Sequence, residues 1–188
     1  MKIGILGFQG SIEEHETVLH HLKVNACRVR TKEDLNGVDG LILPGGESTH
    51  MLMAMKFNGL FDAIKQKINE NLPVFATCAG VVLLSHRIEN SEQETIGALD
   101  AVVSRNGYGP QYFSSIEEVK IEGFKKKFRA VFIRAPIVRS VGTQVKVLAC
   151  DKMGNPIFIK QNRIFGLTFH PELTKDDRLH KLFIETIS

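Results

Sequence analysis

PVFATCAG, residues 73–80, passes from a proline through a short apolar run into a cysteine flanked by small residues. Pro73 stops the helical periodicity that precedes it, and the apolar run Val74-Phe75-Ala76 predicts a short buried strand. Apolar residues after Gly80 continue at once into a predicted helix that ends near Ser85. A strand that passes directly into a helix is typical of an open sheet of mostly parallel strands.

The residues before this stretch repeat the alternation of strand and helix. Their apolar runs are short and nearly continuous, as in buried parallel strands. Such strands are predicted at residues 2–8, 26–30 and 40–43. Between them, Ser11 and Glu14 form a capping-box pattern at the start of one helix, and apolar spacing over residues 57–68 predicts another. The pattern predicts an α/β fold with an open, mostly parallel central sheet, flanking helices and a three-layer, flavodoxin-like architecture.

The second half of the chain is richer in strand patterns. Strands are predicted at residues 101–103, 116–121, 130–133, 144–149, 157–160 and 164–168. A final amphipathic helix carries Leu179, Leu182, Phe183 and Ile187 on one face. Because no repeat, linker or low-complexity segment interrupts the 188 residues, the sequence predicts one domain over residues 1–188.

Composition excludes several classes of function. The net charge is only +3 and both signs are interspersed, so neither a nucleic acid nor a membrane is expected as a partner. The densest basic run, residues 125–127, contains no aromatic residue for base stacking and is interpreted as a solvated turn. No segment reaches the roughly 18 apolar residues of a membrane-spanning helix, and the first apolar stretch is too short for a signal peptide.

Three scattered cysteines, Cys27, Cys78 and Cys150, predict no disulfide framework. A reduced, cytoplasmic setting is therefore expected. No pair of cysteines has metal-ligand spacing, and neither a metal nor a cofactor is expected. Cys27 and Cys150 lie in strand-like runs and are interpreted as structural.

Cys78 is the candidate nucleophile. A sharp strand-to-helix turn lifts a side chain above the sheet, and the small neighbours Ala76, Ala79 and Gly80 relieve crowding there. The helix N-terminus that follows favours a thiolate and offers N–H groups to an oxyanion. The alternative is that Cys78 is a small buried hydrophobic residue, as many free cysteines are.

FHPE, residues 169–172, follows another predicted strand. Residues two apart in extended backbone share a side, so His170 and Glu172 are expected to lie together. A carboxylate that orients an imidazole toward a thiol provides the base needed for nucleophilic catalysis. The other histidines, among them His15 on the first helix and His180 on the last, receive no catalytic role from the pattern.

LPGGEST, residues 43–49, begins at the last residue of a third strand and contains a turn with two glycines. Glycines let the backbone approach a ligand, and the N–H groups of Gly46 and Ala79 are the candidate oxyanion hole. Arg105 lies in a polar loop and Arg134 ends a strand. Either guanidinium is suited to grip the carboxylate of an amino-acid substrate, although either is also interpretable as a surface charge.

Taken together, these segments resemble the PdxT/SNO family, the glutaminase subunits of pyridoxal 5′-phosphate synthase, within the class I triad glutamine amidotransferases. The segments that carry the resemblance are residues 43–49, 77–80, 105–106 with Gly109 and Gln111, 132–136 and 169–172. The resemblance extends from residue 4 to the last helix. It departs from the family pattern at Ala76, where glycine is usual, and at Pro110, where a basic residue is usual.

The resemblance implies a reaction and a partner. L-Glutamine is hydrolysed to glutamate and ammonia through a thioester on Cys78, with His170 and Glu172 completing the triad. The implied glutamine-binding residues are Gly46, Glu47, Ser48, Arg105, Ile133 and Arg134. Ammonia is delivered to a (β/α)8-barrel synthase subunit that makes pyridoxal 5′-phosphate, and the glutaminase is expected to be poorly active until docked in that hetero-oligomeric complex.

Three alternatives share parts of this pattern. A class I amidotransferase serving another synthase has the same elbow and histidine–glutamate pair, but not the Gly-Gly-Glu-Ser-Thr and Ile-Arg-Ala-Pro segments. A cysteine peptidase on a related sheet needs neither arginine. A non-catalytic regulatory subunit has no requirement for an intact triad.

Overall fold

A computed structural model describes residues 1–105 and 114–187. The strands are β1 (Lys2–Leu6), β2 (Asn25–Val29), β3 (Gly40–Leu43), β4 (Val74–Thr77), β5 (Ser85–Ile88), β6 (Leu99–Ser104), β7 (Ser114–Val119), β8 (Phe128–Ile133), β9 (Ile137–Val141), β10 (Lys146–Cys150), β11 (Pro156–Gln161) and β12 (Ile164–Leu167). The helices are α1 (Ile12–His21), α2 (Lys32–Asn36), α3 (Ser48–Phe57), α4 (Leu60–Asn69), α5 (Ala79–Leu84) and α6 (Arg178–Glu185), with a 3₁₀ turn at Pro171–Leu173.

A seven-stranded sheet forms the centre, in the order β10-β11-β12-β4-β3-β1-β2. The five strands from β12 to β2 are parallel, and β10 and β11 add an antiparallel edge. Two smaller sheets accompany it, β5-β6-β9 and the hairpin β7-β8. The predicted open, mostly parallel sheet is confirmed.

Side chains alternate between the two faces of the central sheet. Ile42 and Phe75 point to the face covered by α1 and α6, where Leu19, Leu179 and Phe183 pack. On the opposite face, residues 41, 43, 74 and 76 pack with apolar residues of α3, α4 and α5. Because both faces are buried, these strands are apolar throughout, which explains their continuous hydrophobic runs. The result is the predicted three-layer architecture.

Local features differ from the sequence predictions. The helix predicted over residues 57–68 begins instead at Leu60, because Gly59 adopts a positive φ of 65° and separates it from α3. Helix α2 and strands β5 and β9 were not predicted. The predicted capping box at α1 is wrong, because the Ser11 side chain makes no cap hydrogen bond and instead donates to Glu172.

None of the helices within the described ranges is long and apolar enough to cross a membrane.

Candidate active site

Four neighbouring strands of the central sheet end at one cleft. The segments that follow β1, β3, β4 and β12 meet there, since carboxyl ends of parallel strands share one edge. The cleft has a volume of about 570 Å³, and its lining includes Gly46, Glu47, Cys78, Arg105, Arg134 and His170. The structure therefore brings the three predicted site segments and both predicted arginines to one place.

Cys78 lies at the turn between β4 and α5. Its backbone has φ 47° and ψ −106°, and a positive φ is uncommon for a residue other than glycine. The turn is held by a hydrogen bond from its N–H to Leu167 O at 2.8 Å. Gly80 permits close packing of α5, because a Cβ there would lie 2.1 Å from the carbonyl oxygen of Leu43. The strained turn points the thiol into the cleft, where Sγ lies 3.7 Å from Ile133 O.

His170 and Glu172 form a close pair, with Nδ1 of the imidazole 2.7 Å from Oε1 of the carboxylate. The predicted proximity is present, but its predicted cause was wrong. The backbone is not extended through the pair, because Pro171–Leu173 forms a 3₁₀ turn that folds the carboxylate back toward the ring. The backbone of His170 is also anchored, because its backbone N–H donates to Val131 O at 2.8 Å.

The charges of this pair stabilise each other. Burial alone lowers the pKa of His170, but the neighbouring Cys78 and Glu172 side chains raise that pKa to about 10. Burial alone raises the pKa of the Glu172 carboxyl, whereas His15, His170 and Ser11 lower it to about 2. At neutral pH an imidazolium is therefore favoured between the sulfur and the carboxylate.

Helix α1 supplies further polar groups to Glu172. The Ser11 hydroxyl donates to Oε1 at 2.6 Å, and His15 Nε2 lies 3.6 Å from Oε2. His15 in turn contacts His180 on α6, with 3.0 Å between their ring nitrogens. The sequence pattern gave these two histidines no role, and the structure links both to Glu172 through His15. The available signal was the position of His15, three residues after Ile12 and four before Leu19 on the apolar face of α1.

The glycine turn after β3 lies against the triad. A Cβ on Gly45 would be 2.2 Å from Cε1 of His170 and 3.3 Å from Cβ of Cys78, so only glycine fits without displacing the imidazole. The peptide between Gly45 and Gly46 is held through its carbonyl oxygen, which accepts from Ser11 N at 3.2 Å. The N–H of Gly45 donates to Thr77 Oγ1 at 3.0 Å.

Two predicted substrate-binding residues contact each other. Arg105 Nη2 lies 2.7 Å from Oε1 of Glu47, and Nη1 donates to Thr49 Oγ1 and Gln93 Oε1. Glu47 also caps α3 by accepting from the N–H groups of Thr49 and His50. Partial burial opposes ionisation, but these donors and Arg105 outweigh it and lower the pKa of Glu47. Gln93, which the sequence did not single out, ties this cluster together.

The remaining predicted residues also line the cleft. Ser48 begins α3 and is buried, while Ile133 ends β8. Arg134 follows with a positive φ of 44°, which turns the chain at the cleft. The loop predicted to continue from Arg105 through Gln111 lies outside the described residues from position 106 onward.

Within the described part of the chain, no group of three or more His, Cys, Asp or Glu side chains is arranged to hold a metal ion. The polar groups of the cleft are instead arranged as a thiol, an imidazole and a carboxylate in sequence. Such an arrangement is suited to acyl transfer through a covalent intermediate.

Known proteins share this fold over the whole chain. A solved structure described as a glutamine amidotransferase is 40% identical, with a TM-score of 0.94 and coverage of 98% of both chains. Another, described as a glutamine amidotransferase from Thermotoga maritima, has a TM-score of 0.62 at 16% identity and covers 98% of this chain and 80% of its own. At that identity the similarity is one of fold alone.

Curated relatives are similar along their full lengths. Pyridoxal 5′-phosphate synthase subunit PdxT of Thermosipho africanus is 46% identical, covering 100% of this chain and 99% of the relative. The protein of the same name from Thermotoga maritima is 48% identical, with 100% of both covered. The model of the SNO glutamine amidotransferase family matches residues 5–188. With a match of this extent, the chain belongs to the SNO glutamine amidotransferase family.

Proposed function

We propose that this chain is the glutaminase subunit of a pyridoxal 5′-phosphate synthase and hydrolyses L-glutamine with Cys78, His170 and Glu172. The observation that carries the proposal is the convergence of a strained strand-to-helix cysteine and a 2.7 Å histidine–carboxylate pair in one cleft. Family membership supplies the substrate, because the chain is a glutamine-hydrolysing amidotransferase. Full-length relatives named PdxT favour this synthase over other ammonia acceptors.

The proposed reaction proceeds in two steps. The Cys78 sulfur, after losing its proton to His170, attacks the carboxamide carbon of glutamine and forms a tetrahedral intermediate. His170 then gives that proton to the departing nitrogen, the C–N bond breaks, and ammonia leaves a glutamyl thioester. A water molecule attacks the thioester while His170 accepts its proton. The C–S bond then breaks, His170 returns the proton to the sulfur, and glutamate is released.

Two N–H groups are proposed to stabilise the oxyanion. Ala79 N–H lies at the start of α5, where the helix dipole favours negative charge, and Gly46 N–H is on the facing turn. A trans peptide points its N–H opposite to its C=O. The bond from Ser11 N–H to the Gly45 carbonyl therefore sets the direction of the Gly46 N–H.

Glutamine is proposed to be held by Gly46, Glu47, Ser48, Arg105, Ile133 and Arg134. The α-carboxylate of the substrate suits the guanidinium groups and the α-ammonium suits the carboxylate of Glu47 and backbone carbonyls. The pairing of Arg105 with Glu47 gives Arg105 a second task, because it also holds the residue that caps α3.

Replacing Arg105 with lysine is expected to raise KM for glutamine about 10- to 100-fold with a smaller loss of kcat, since charge-assisted hydrogen bonds contribute about 1.5–3 kcal/mol. Lysine keeps the charge but cannot contact Glu47, Thr49 and Gln93 together. Steady-state kinetics on the complex measure this. Arg139→Lys, which alters the exposed pair with Glu89, serves as control. An unchanged KM in the Arg105 variant contradicts the role.

We also propose that the partner is a (β/α)8-barrel synthase subunit and that residues 1–188 act as one cytoplasmic domain.

Docking onto the barrel subunit is proposed to activate the glutaminase. Glycine changes conformation at low cost, so the Gly45–Gly46 peptide is the proposed switch. Mixing the chain with the barrel subunit is expected to raise the glutaminase rate about 10-fold or more, within the usual range of allosteric coupling. Ammonia release measured with and without the barrel tests this. Equal rates would refute activation by docking.

A further inference from the structure

A buried polar cluster lies behind the triad and has no part in the reaction steps above. It consists of His15 on α1, Thr77 at the end of β4 and His180 on α6, each at most 1% exposed. Two histidines at full burial are costly unless their ring nitrogens are used, so the contacts of this cluster require an explanation.

The contacts converge on His15. Its Nδ1 lies 3.0 Å from Nε2 of His180, and its Nε2 lies 3.3 Å from Oγ1 of Thr77. The same Nε2 faces Oε2 of Glu172 at 3.6 Å. This carboxylate oxygen has no hydrogen bond to any described residue, whereas Oε1 already accepts from both His170 and Ser11.

The surroundings select one tautomer of each ring. A lone pair on Nε2 of His15 would face the Glu172 carboxylate, so the proton is favoured on Nε2. Nδ1 of His15 then accepts from Nε2–H of His180, which leaves Nδ1 of His180 unprotonated. That nitrogen has no partner among the described residues, and the selected tautomer avoids burying an unpaired N–H there.

Both rings are neutral at pH 7. Burial lowers the pKa of His15 and, with a smaller contribution from His15, lowers the pKa of His180 to about 3. His15 therefore meets Glu172 as a neutral N–H dipole and not as a cation that would compete with His170 for the carboxylate.

We infer that His15, with its tautomer set by His180, is a positioning residue that holds the Glu172 carboxylate and the glycine turn in register. Ser11, the residue before α1, and His15 in α1 are four residues apart and face the two oxygens of the same carboxylate. Thr77 extends the link, because its hydroxyl oxygen faces His15 and accepts from the N–H of Gly45. One helix thus sets the orientation of both His170 and the turn that carries the Gly46 N–H.

The inference rests on the proposed function and is tested with the complete synthase complex. The variants are His15→Leu, which removes the N–H, His15→Gln, whose amide nitrogen reaches the Nε2 position, and His15→Asn, whose amide reaches only the Nδ1 position. His20→Leu, on the exposed side of α1, is the matched control. Cys78→Ala is assayed in parallel.

His15→Leu and His15→Asn are expected to lower kcat about 100-fold, because a displacement of about 1 Å at a reacting group has that effect. KM for glutamine is expected to change much less than kcat, since His15 itself does not line the cleft. His15→Gln recovers most of the lost kcat, and His20→Leu has wild-type kinetics. In the NMR spectrum, the downfield proton on Nδ1 of His170 shifts upfield in the Leu variant and returns in the Gln variant.

A role in packing alone predicts other results. Equal losses in the Gln and Asn variants, or wild-type kcat in the Leu variant, overturn the inference. If the Leu variant fails to fold, the comparison of Gln with Asn decides alone, since both introduce an amide at the same site. Loss of activity in Cys78→Ala together with wild-type kcat in all His15 variants refutes only the role of His15. Full activity in Cys78→Ala refutes the proposed function itself.

Discussion

A Cys78→Ala variant of the complex is expected to lose glutamine-dependent synthesis by at least about a thousandfold, as removal of a nucleophile does in other triads. Alanine cannot form the thioester, so only the slow direct attack of water on glutamine remains. Synthesis from added ammonia is expected to persist, because ammonia is the only product of this site that the partner's reaction uses. Both rates are measured on the same preparation, with glutamine or an ammonium salt as nitrogen source.

The other two cysteines provide matched controls for this result. Cys27 is half-buried on β2 and Cys150 is exposed at the end of β10, and neither lines the cleft. Cys27→Ala and Cys150→Ala should therefore retain glutamine-dependent synthesis. Retention of that activity in the Cys78 variant would eliminate the nucleophile assignment, and loss of ammonia-dependent synthesis would indicate a failure of assembly.

A Glu172→Gln variant is expected to lower kcat about 10³- to 10⁴-fold, as loss of the orienting carboxylate does in comparable triads. The amide keeps the size of the side chain but removes the charge that faces His170 Nδ1 at 2.7 Å. It also disturbs the bond from Ser11, which donates to the same oxygen. Steady-state kinetics on the complex give the loss, and the exposed Glu185→Gln on α6 is the control.

The same variant has a predicted pH signature. Burial lowers the pKa of His170, while Cys78 and Glu172 raise it to about 10, so removing the carboxylate moves it downward. As pH rises, activity that depends on the imidazolium should then be lost at a lower pH in the variant than in the wild type. The stabilising effect of His170 is complete below its unfolded pKa of 6.5 and is lost as pH rises through about 10. An alkaline limb at the same pH in both proteins would contradict the coupling.

The contribution of Glu172 to folding stability changes with pH in the opposite direction to that of His170. Its pKa falls from 4.5 to about 2 on folding, so its stabilising contribution is present above 4.5 and is lost as pH falls through about 2. The Gln variant lacks this contribution and should show less acid dependence of unfolding in that range.

Periodicity predicted the central sheet well because its strands are buried on both faces. Strands β1, β3 and β4 are continuous apolar runs, a pattern that local sequence reveals directly. Strand β9 was missed, because it lies in a small sheet, follows a proline and includes exposed residues. Strand β5 was missed because it is four residues long and directly continues α5.

The candidate residues that the sequence singled out are those that stand close to one another or to a strand end in the chain. A cysteine between strand and helix, and a histidine two residues before a glutamate, are visible in a linear sequence. The pairing of Arg105 with Glu47 is not, because 58 residues separate them and only the fold brings them together.

The sequence by itself determined the layered α/β fold and the identity of the thiol, imidazole and carboxylate at the strand ends, since each depends on short-range order. Only the tertiary structure decided how Glu172 is held. Its partners Ser11 and His15 lie on a helix about 160 residues earlier in the chain, and His15 depends in turn on His180 of the last helix. Burial by both helices makes those contacts strong, because a polar group removed from water must find its partners within the protein.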